Sequence, residues 1–167
     1  VERGSESRAI NTLGVVPAVK IVRNFEVAKG RFIDQRDLSE RRKVAFLGAA
    51  SKEKLFGAAE AIGRSIRIKG KNFQVVGIAV KKGEQTSIEN SLDDDKILIP
   101  YSPAQILTGL RRPQYFQLHP TTAIPYKEVE QRLRKLILKN HGTDKDDALG
   151  VYSALEAVEE MNKMGRG

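Results

Sequence analysis

Cysteine and tryptophan are absent from this chain of 167 residues, and histidine occurs only twice. Without cysteine the chain has no disulfide, no thiolate metal ligand and no cysteine nucleophile. Six phenylalanines and four tyrosines are too few for a platform that stacks the bases of single-stranded nucleic acid. No stretch approaches the roughly 20 consecutive apolar residues of a membrane-spanning helix. We therefore expect the chain, taken alone, to be a globular module.

The motifs of nucleotide-binding and hydrolytic enzymes are also missing. Residues 57–65 (GAAEAIGRS) resemble a phosphate-binding loop, but the two glycines are one residue too far apart and Arg64 replaces the lysine. A predicted hairpin follows, where the helix that faces the phosphate would have to begin. His119 and His141 have no nucleophile motif beside them. We predict no catalytic residue, no cofactor-binding residue and no enzyme activity.

One group of acidic residues could suggest a metal site. Asp93, Asp94 and Asp95 are consecutive, so their carboxylates point apart, whereas a calcium loop spaces its ligands at alternate positions. Asp34 and Asp37 lie in a highly charged segment without a partner motif. We predict no metal site and interpret these carboxylates as solvated charges on a turn and at the entry to a strand.

The formal net charge is +8, from 29 Lys and Arg residues against 21 Asp and Glu residues. Such a charge is compatible with nucleic acid or a membrane surface as a partner. The basic residues are spread evenly, however, with ten in residues 1–50, nine in 51–100 and ten in 101–167. The even spread favours a solvated basic surface. A basic nucleic-acid-binding small β-barrel and an enzyme without a known motif are the alternatives from other classes.

The clearest local pattern is a β-hairpin in the middle of the chain. Residues 65–69 (SIRIK) alternate apolar and basic side chains, residues 70–72 supply a turn, and residues 73–80 form a more apolar strand. Gly77 predicts a bulge or a bend in that second strand.

Short strands and helices are predicted on both sides of the hairpin, so the fold class is α+β. In chain order the other predictions are a loop at 1–11, a turn and then a strand at 13–22, a strand at 44–47, a helix at 52–56 capped by Ser51, a strand at 96–99, a helix from Ser102 or Pro103 to Leu110, a strand at 115–118, a helix from Pro125 to about residue 140, a strand at 148–153 and a helix at 155–164.

The order of short motifs along the chain is more specific than any one of them. Over about residues 25–110, GRF is followed by an aspartate, a VAFLG strand, LFG, IG, a hairpin that ends in FQVVG, three aspartates and IP. This series resembles the MacB-type periplasmic core domain of ABC transporter permeases, in the MacB/FtsX family. The resemblance singles out, as structural motif residues, Gly30, Arg31, Phe32, Asp37, Gly48, Leu55, Phe56, Gly57, Gly63, Gly77, Asp95 and Pro100.

The resemblance implies an α+β fold of two lobes within one extracytoplasmic domain, residues 1–167. A β-rich Sabre-like lobe would span residues 24–115. A porter-like βαβ lobe would combine residues 1–23 with residues 116–167, and its N-terminal part is shorter than is usual in the family. Because each chain end would continue into a transmembrane helix absent from this chain, the porter-like lobe would lie on the membrane.

The same resemblance implies a mechanical, non-enzymatic function. The domain would couple ATP-driven motion of the membrane helices to efflux or extraction of substrate on the outer side of the inner membrane. It would hold no cofactor, since the associated ATPase uses the ATP. The implied partners are a second permease copy, the ABC ATPase and a periplasmic adaptor, without nucleic acid. A lipoprotein-release permease is the alternative within the family.

A long polar loop, residues 81–95, is the candidate for partner contact. Its length and polarity motivate the hypothesis that it contacts the adaptor or the second permease copy. The candidate contact residues are Lys81, Lys82, Glu84, Gln85, Asp93 and Asp94.

Overall fold

The computed structural model describes residues 1–3, 6–83, 92–118 and 124–141. The chain divides into two compact units, Val1–Gln117 and Leu118–Gly167. Residues 1–23 pack within the first unit. The division into the lobes 24–115 and 1–23 with 116–167 stays a prediction, because most of the C-terminal end lies outside the described residues. The strand predicted at 148–153 and the helix predicted at 155–164 also lie outside them.

Eight strands in the described ranges form one mixed sheet. They are β1 (Glu2–Arg3), β2 (Glu6–Ser7), β3 (Asn11–Val15), β4 (Val27–Gly30), β5 (Val44–Leu47), β6 (Ser65–Ile68), β7 (Lys71–Ala79) and β8 (Lys96–Pro100). Their order across the sheet is β2-β1-β6-β7-β5-β8-β3, and β4 also pairs with β7. The predicted α+β class is confirmed, since helices lie between these strands along the chain.

Strand β7 is the centre of the sheet. It pairs antiparallel with β6 at its beginning and with β4 at its end, and parallel with β5 on its other edge. The predicted hairpin is therefore confirmed. Opposite β5, Ala45 pairs with Val75 and Phe46 with Gly77, so Val76 is an extra residue in β7. This bulge beside Gly77 confirms the irregularity predicted there.

Apolar side chains cover both faces of the central strands. In β5, Ala45 and Leu47 belong to one core cluster, whereas Phe46 belongs to the other. Phe46 packs edge-on against Phe25 and Phe32, with ring centroids 6.0 and 4.6 Å away. Because neither face of β5 meets water, its sequence is apolar without the alternation of a half-exposed strand.

Five helices and one 3₁₀ turn occur in the described residues: α1 (Val19–Val22), α2 (Gln35–Ser39), α3 (Ala49–Phe56), the 3₁₀ turn (Asp93–Asp95), α4 (Tyr101–Thr108) and α5 (Tyr126–His141). The predicted long helix is confirmed by α5, whose surface carries the pairs Arg132–Glu128 and Arg134–Glu130 at 2.6 and 2.9 Å. None of the helices in this part of the chain has the length and apolar character needed to cross a membrane.

The order predicted for residues 13–22 is wrong, because strand β3 comes first and helix α1 follows it. Pro17 explains the reversal. A proline cannot donate to a sheet ladder but suits the turn that opens a helix. Here the Pro17 carbonyl accepts a hydrogen bond from the Lys20 amide at 3.1 Å.

Three other local predictions need correction. Residues 1–11 are not a loop alone, since β1 and β2 lie there. Helix α3 begins at Ala49, so Ser51 lies inside the helix and does not cap it. Residues 115–118 form no strand, and the Phe116 side chain is 81% exposed. A segment of four residues, even one rich in apolar side chains, is too short to distinguish a strand from an exposed segment.

Candidate functional site

The GRF motif and the aspartate that follows it form one ion pair. Arg31 donates to both carboxylate oxygens of Asp37, from Nη1 at 2.6 Å and from Nη2 at 2.9 Å. Asp34 caps α2 by accepting from the Arg36 and Asp37 amides, and Asp37 accepts from the Asp34 amide. Asp37 is fully buried, so the prediction that it is a solvated charge is wrong. The pair fixes α2 against β4.

Asp37 stays ionised in this position. Burial by itself would raise the pKa of its carboxyl group. The hydrogen bonds from Arg31 and from the Asp34 amide, together with the charges of Arg31 and Arg42, outweigh burial and hold this pKa below its usual range. The same hydrogen bond raises the pKa of Arg31.

Three motif glycines lie where another chain segment passes too close for a side chain. A Cβ atom on Gly48 would overlap the carbonyl oxygens of Asp93 and Asp94, and one on Gly77 would overlap the carbonyl oxygen of Arg31. Gly30 has a φ of +76° and faces the carbonyl oxygen of Val76. These contacts give the motif glycines a structural role in packing strands and turns.

The remaining motif residues complete the same framework. Leu55 and Phe56 are buried at the end of α3, and Arg3 lies 4.6 Å from the centre of the Phe56 ring. Asp95 pairs with Lys54 of α3 at 2.6 Å. Phe32 packs against Phe25 and Phe46 in the core. Pro100 is buried where β8 meets α4. Gly57 and Gly63 follow α3 and both have a positive φ.

Asp93 lies at the centre of a buried charge cluster at the base of the polar loop. Its carboxylate accepts from Arg23 at 2.9 Å, from Lys82 at 3.1 Å and from Lys96 at 3.2 Å. Lys82 also lies 3.8 Å from the centre of the Phe25 ring and donates to the Arg23 carbonyl. The side chains of Arg23, Lys82 and Asp93 are less than a tenth exposed, and Lys96 is fully buried.

The carboxylate of Asp94, next to Asp93 in sequence, binds the first residues of the polar loop. Asp94 accepts from the Lys82 and Gly83 amides, each at 3.0 Å. Asp93 and Asp94 are therefore not solvated, and that prediction is wrong. Burial would raise the pKa of Asp93, but the hydrogen bond from Lys82 and the charges of Lys82, Arg23 and Lys96 hold it below its usual range.

The candidate contact residues thus differ in accessibility. Lys82, Asp93 and Asp94 are bonded to one another in the loop base, where a partner would not reach their side chains in this conformation. Lys81 is exposed. Glu84 and Gln85 lie outside the described residues. The partner-contact role of the loop stays a prediction.

The sequence did not identify Arg23 and Lys96 as partners of Asp93. A local signal existed for Lys96, which follows Asp93 by three residues and opens an otherwise apolar strand. Arg23 is 70 residues from Asp93, so no local pattern links them.

A second feature of the first unit is an apolar groove of about 380 Å³ between β3, α1, α4 and residues 110–117. Its lining is rich in Leu, Val and Ile and continues to exposed apolar residues at its mouth, among them Val16, Leu110 and Phe116. Gly14 allows α4 to pack directly on β3, because a Cβ atom there would overlap Ala104. At the wall of the groove formed by residues 110–117, Arg23 Nε donates a hydrogen bond to Gln117 Oε1 at 2.8 Å. The groove was not foreseen from the sequence, since its walls are far apart along the chain.

The family model and the curated relatives that match this chain indicate the same family. Residues 1–136 match the family described as the MacB-like periplasmic core domain. A pyoverdine export ATP-binding/permease protein of Pseudomonas aeruginosa is 34% identical over 137 residues, which are 81% of this chain and 20% of that protein. A macrolide export ATP-binding/permease protein of Wolinella succinogenes is 33% identical over 130 residues, 75% of this chain and 19% of that protein. The chain thus spans about a fifth of these relatives.

Two solved structures share the fold. The periplasmic region of MacB from Actinobacillus actinomycetemcomitans superposes with a TM-score of 0.61 at 16% identity, over 79% of this chain and 57% of that one. The extracellular domain of the transporter YknZ from Gram-positive bacteria gives a TM-score of 0.71 at 20% identity, over 86% of this chain and 71% of that one. The family match and the shared fold agree with the motif series, and the chain belongs to the MacB-like periplasmic core domain family.

Proposed function

We propose that this chain is the extracytoplasmic domain of an ABC exporter permease in the inner membrane, and that it transmits motion without catalysing a reaction. The family match over residues 1–136 carries the proposal. The relatives described as pyoverdine and macrolide export permeases favour export over lipoprotein release. ATP would be bound by the associated ATPase, and this domain would need no cofactor.

The internal bonding of the first unit supports a mechanical role. A part that transmits displacement has to move as one body. Here the central strands are buried on both faces, and a buried ion pair joins Arg23 to Asp93, 70 residues away in sequence. Such pairs resist shear because separating them would leave charges buried without partners.

The test is whether two copies of the domain move relative to each other when ATP is bound. These 167 residues contain no cysteine, so a cysteine introduced here can carry the spin label once any cysteine elsewhere in the permease is replaced. Glu53→Cys on α3 and Lys71→Cys on β7 are suitable because both residues are exposed. In the complete permease, we expect the label-to-label distance between the two copies to change on ATP addition for both variants. Unchanged distances in a transporter that hydrolyses ATP would refute the proposal.

We further propose that the polar loop contacts a periplasmic adaptor or the second permease copy. Of the candidate contacts, Lys81 is exposed, and Glu84 and Gln85 lie outside the described residues. Replacing residues 84–91 by a Gly-Ser segment of equal length keeps the Asp93 and Asp94 bonds intact. We expect the replacement to reduce adaptor pull-down and export, while Glu53→Ala on α3 serves as the surface control. Unchanged pull-down and export would eliminate the loop as a contact.

A further inference from the structure

The apolar groove has the composition and size of a ligand site. Its volume of about 380 Å³ falls within the roughly 300–1,000 Å³ typical of small-molecule pockets. At the mouth, Phe116 is 81% exposed and Val16 is 47% exposed. Covering such apolar surface favours binding by roughly 25 cal/mol for each Å² removed from water. The groove therefore suits an apolar ligand rather than a polar one.

The charged residues around the groove are all of one sign. Arg23, Lys69 and Arg112 belong to the lining, and none of the described lining residues is acidic. Arg23 is bonded to Asp93 and Gln117 and so belongs to the framework. Lys69 and Arg112 are exposed, and among the described residues no ion pair is formed by either of them. Two cations are thus available to an anionic group at the edge of the groove.

We propose that the groove binds a single-chain anionic lipid, with its alkyl chain along the apolar walls and its acidic head group beside Lys69 and Arg112. The volume lies near the lower end of ligand pockets, which favours one alkyl chain over a diacyl lipid. The inference does not rest on the proposed mechanical function, since it concerns only the lining of the first unit.

The experiment is a calorimetric titration of the full 167-residue chain with decanoate below its critical micelle concentration. Decyltrimethylammonium carries the same alkyl chain with the opposite charge, hexanoate has a shorter chain, and acetate has the head group alone. We expect saturable binding of one decanoate, at least tenfold weaker binding of hexanoate because each buried methylene adds affinity, no saturable binding of acetate, and at least fivefold weaker binding of the cation.

Two double variants locate the head group. Lys69→Gln with Arg112→Gln removes both rim cations, and we expect decanoate to bind about fivefold more weakly, the scale of two solvent-exposed ion pairs. Lys71→Gln with Arg111→Gln removes the same charge from neighbouring exposed residues outside the lining, and should leave the affinity unchanged.

The proposal is overturned by any of three results. Absence of saturable decanoate binding would mean that the groove is covered in solution, by the chain itself or by another copy. Equal binding of decanoate and decyltrimethylammonium would remove the role of charge. Equal weakening by the two double variants would show that only the net charge matters. None of these results bears on the ATP-dependent distances that test the mechanical function.

Discussion

Asp37 is a fully buried carboxylate whose two oxygens both accept hydrogen bonds from Arg31. We expect Asp37→Asn to lower the free energy of unfolding by about 2 kcal/mol, the range for hydrogen bonds to charged groups. The loss is smaller than for a fully buried pair because the Arg31 side chain is 42% exposed and regains water. Urea denaturation of both proteins, followed by circular dichroism, measures the difference.

Asp34, the N-cap of the same helix, provides the control, because its own ion pair with Arg31 at 3.4 Å is exposed and contributes little. Asparagine caps helices as well as aspartate does, so Asp34→Asn should change the free energy of unfolding by less than about 0.5 kcal/mol. If the two substitutions cost the same, the buried carboxylate of Asp37 makes no special contribution to stability.

The pKa values of Asp37 and Asp93 also predict how stability depends on pH. Both are lowered in the folded chain, so near pH 4 the unfolded chain binds more protons than the folded chain. The stabilisation is complete above the unfolded value of about 3.9 and is lost as pH falls through the lower folded values. We expect the free energy of unfolding to decrease from about pH 5 downward. Asp37→Asn should show a shallower decrease, and equal slopes for variant and parent would contradict this origin.

At the scale of single elements, local sequence patterns predict those structures whose determinants are local. The hairpin of β6 and β7 and the helix α5 are confirmed because alternation and helical spacing lie within one segment. Strand β3 was misplaced because its partner β8 follows about 85 residues later, beyond the reach of any local pattern. The contact between Arg23 and Asp93 was missed for the same reason, since these residues are 70 positions apart.

A substitution at Gly48 tests the contact between the start of α3 and the 3₁₀ turn of residues 93–95. A methyl group on Gly48 would overlap the backbone carbonyls of Asp93 and Asp94, which the Lys82 and Lys96 bonds hold in place. We expect Gly48→Ala to destabilise the chain by about 3 kcal/mol, at the upper range for overpacking a rigid site.

Gly70 in the hairpin turn gives the reference for Gly48. It has a φ of +76° and open space around its Cβ position, so Gly70→Ala measures backbone strain alone, about 1 kcal/mol. Thermal unfolding of the two variants compares the costs. A smaller loss for Gly48→Ala than for Gly70→Ala would mean that the turn moves away at little cost.

For the whole molecule, the described interactions predict that the first unit folds on its own. Both core clusters and every strand pairing in the described residues belong to Val1–Gln117. A fragment of residues 1–117 should therefore unfold cooperatively, and its transition should lie close to that of the 167-residue chain. The fragment 118–167 contains the 16-residue helix α5. A single helix of that length is marginal in water without a partner surface.

We therefore expect low helicity for a peptide of residues 124–141 alone, measured by circular dichroism beside the fragment 1–117. Loss of the cooperative transition in residues 1–117 would show that the sheet depends on the C-terminal unit. Under the proposed mechanical function, an independently folding fragment 1–117 predicts that substitutions around residue 118 uncouple export from ATP hydrolysis while this fragment stays folded.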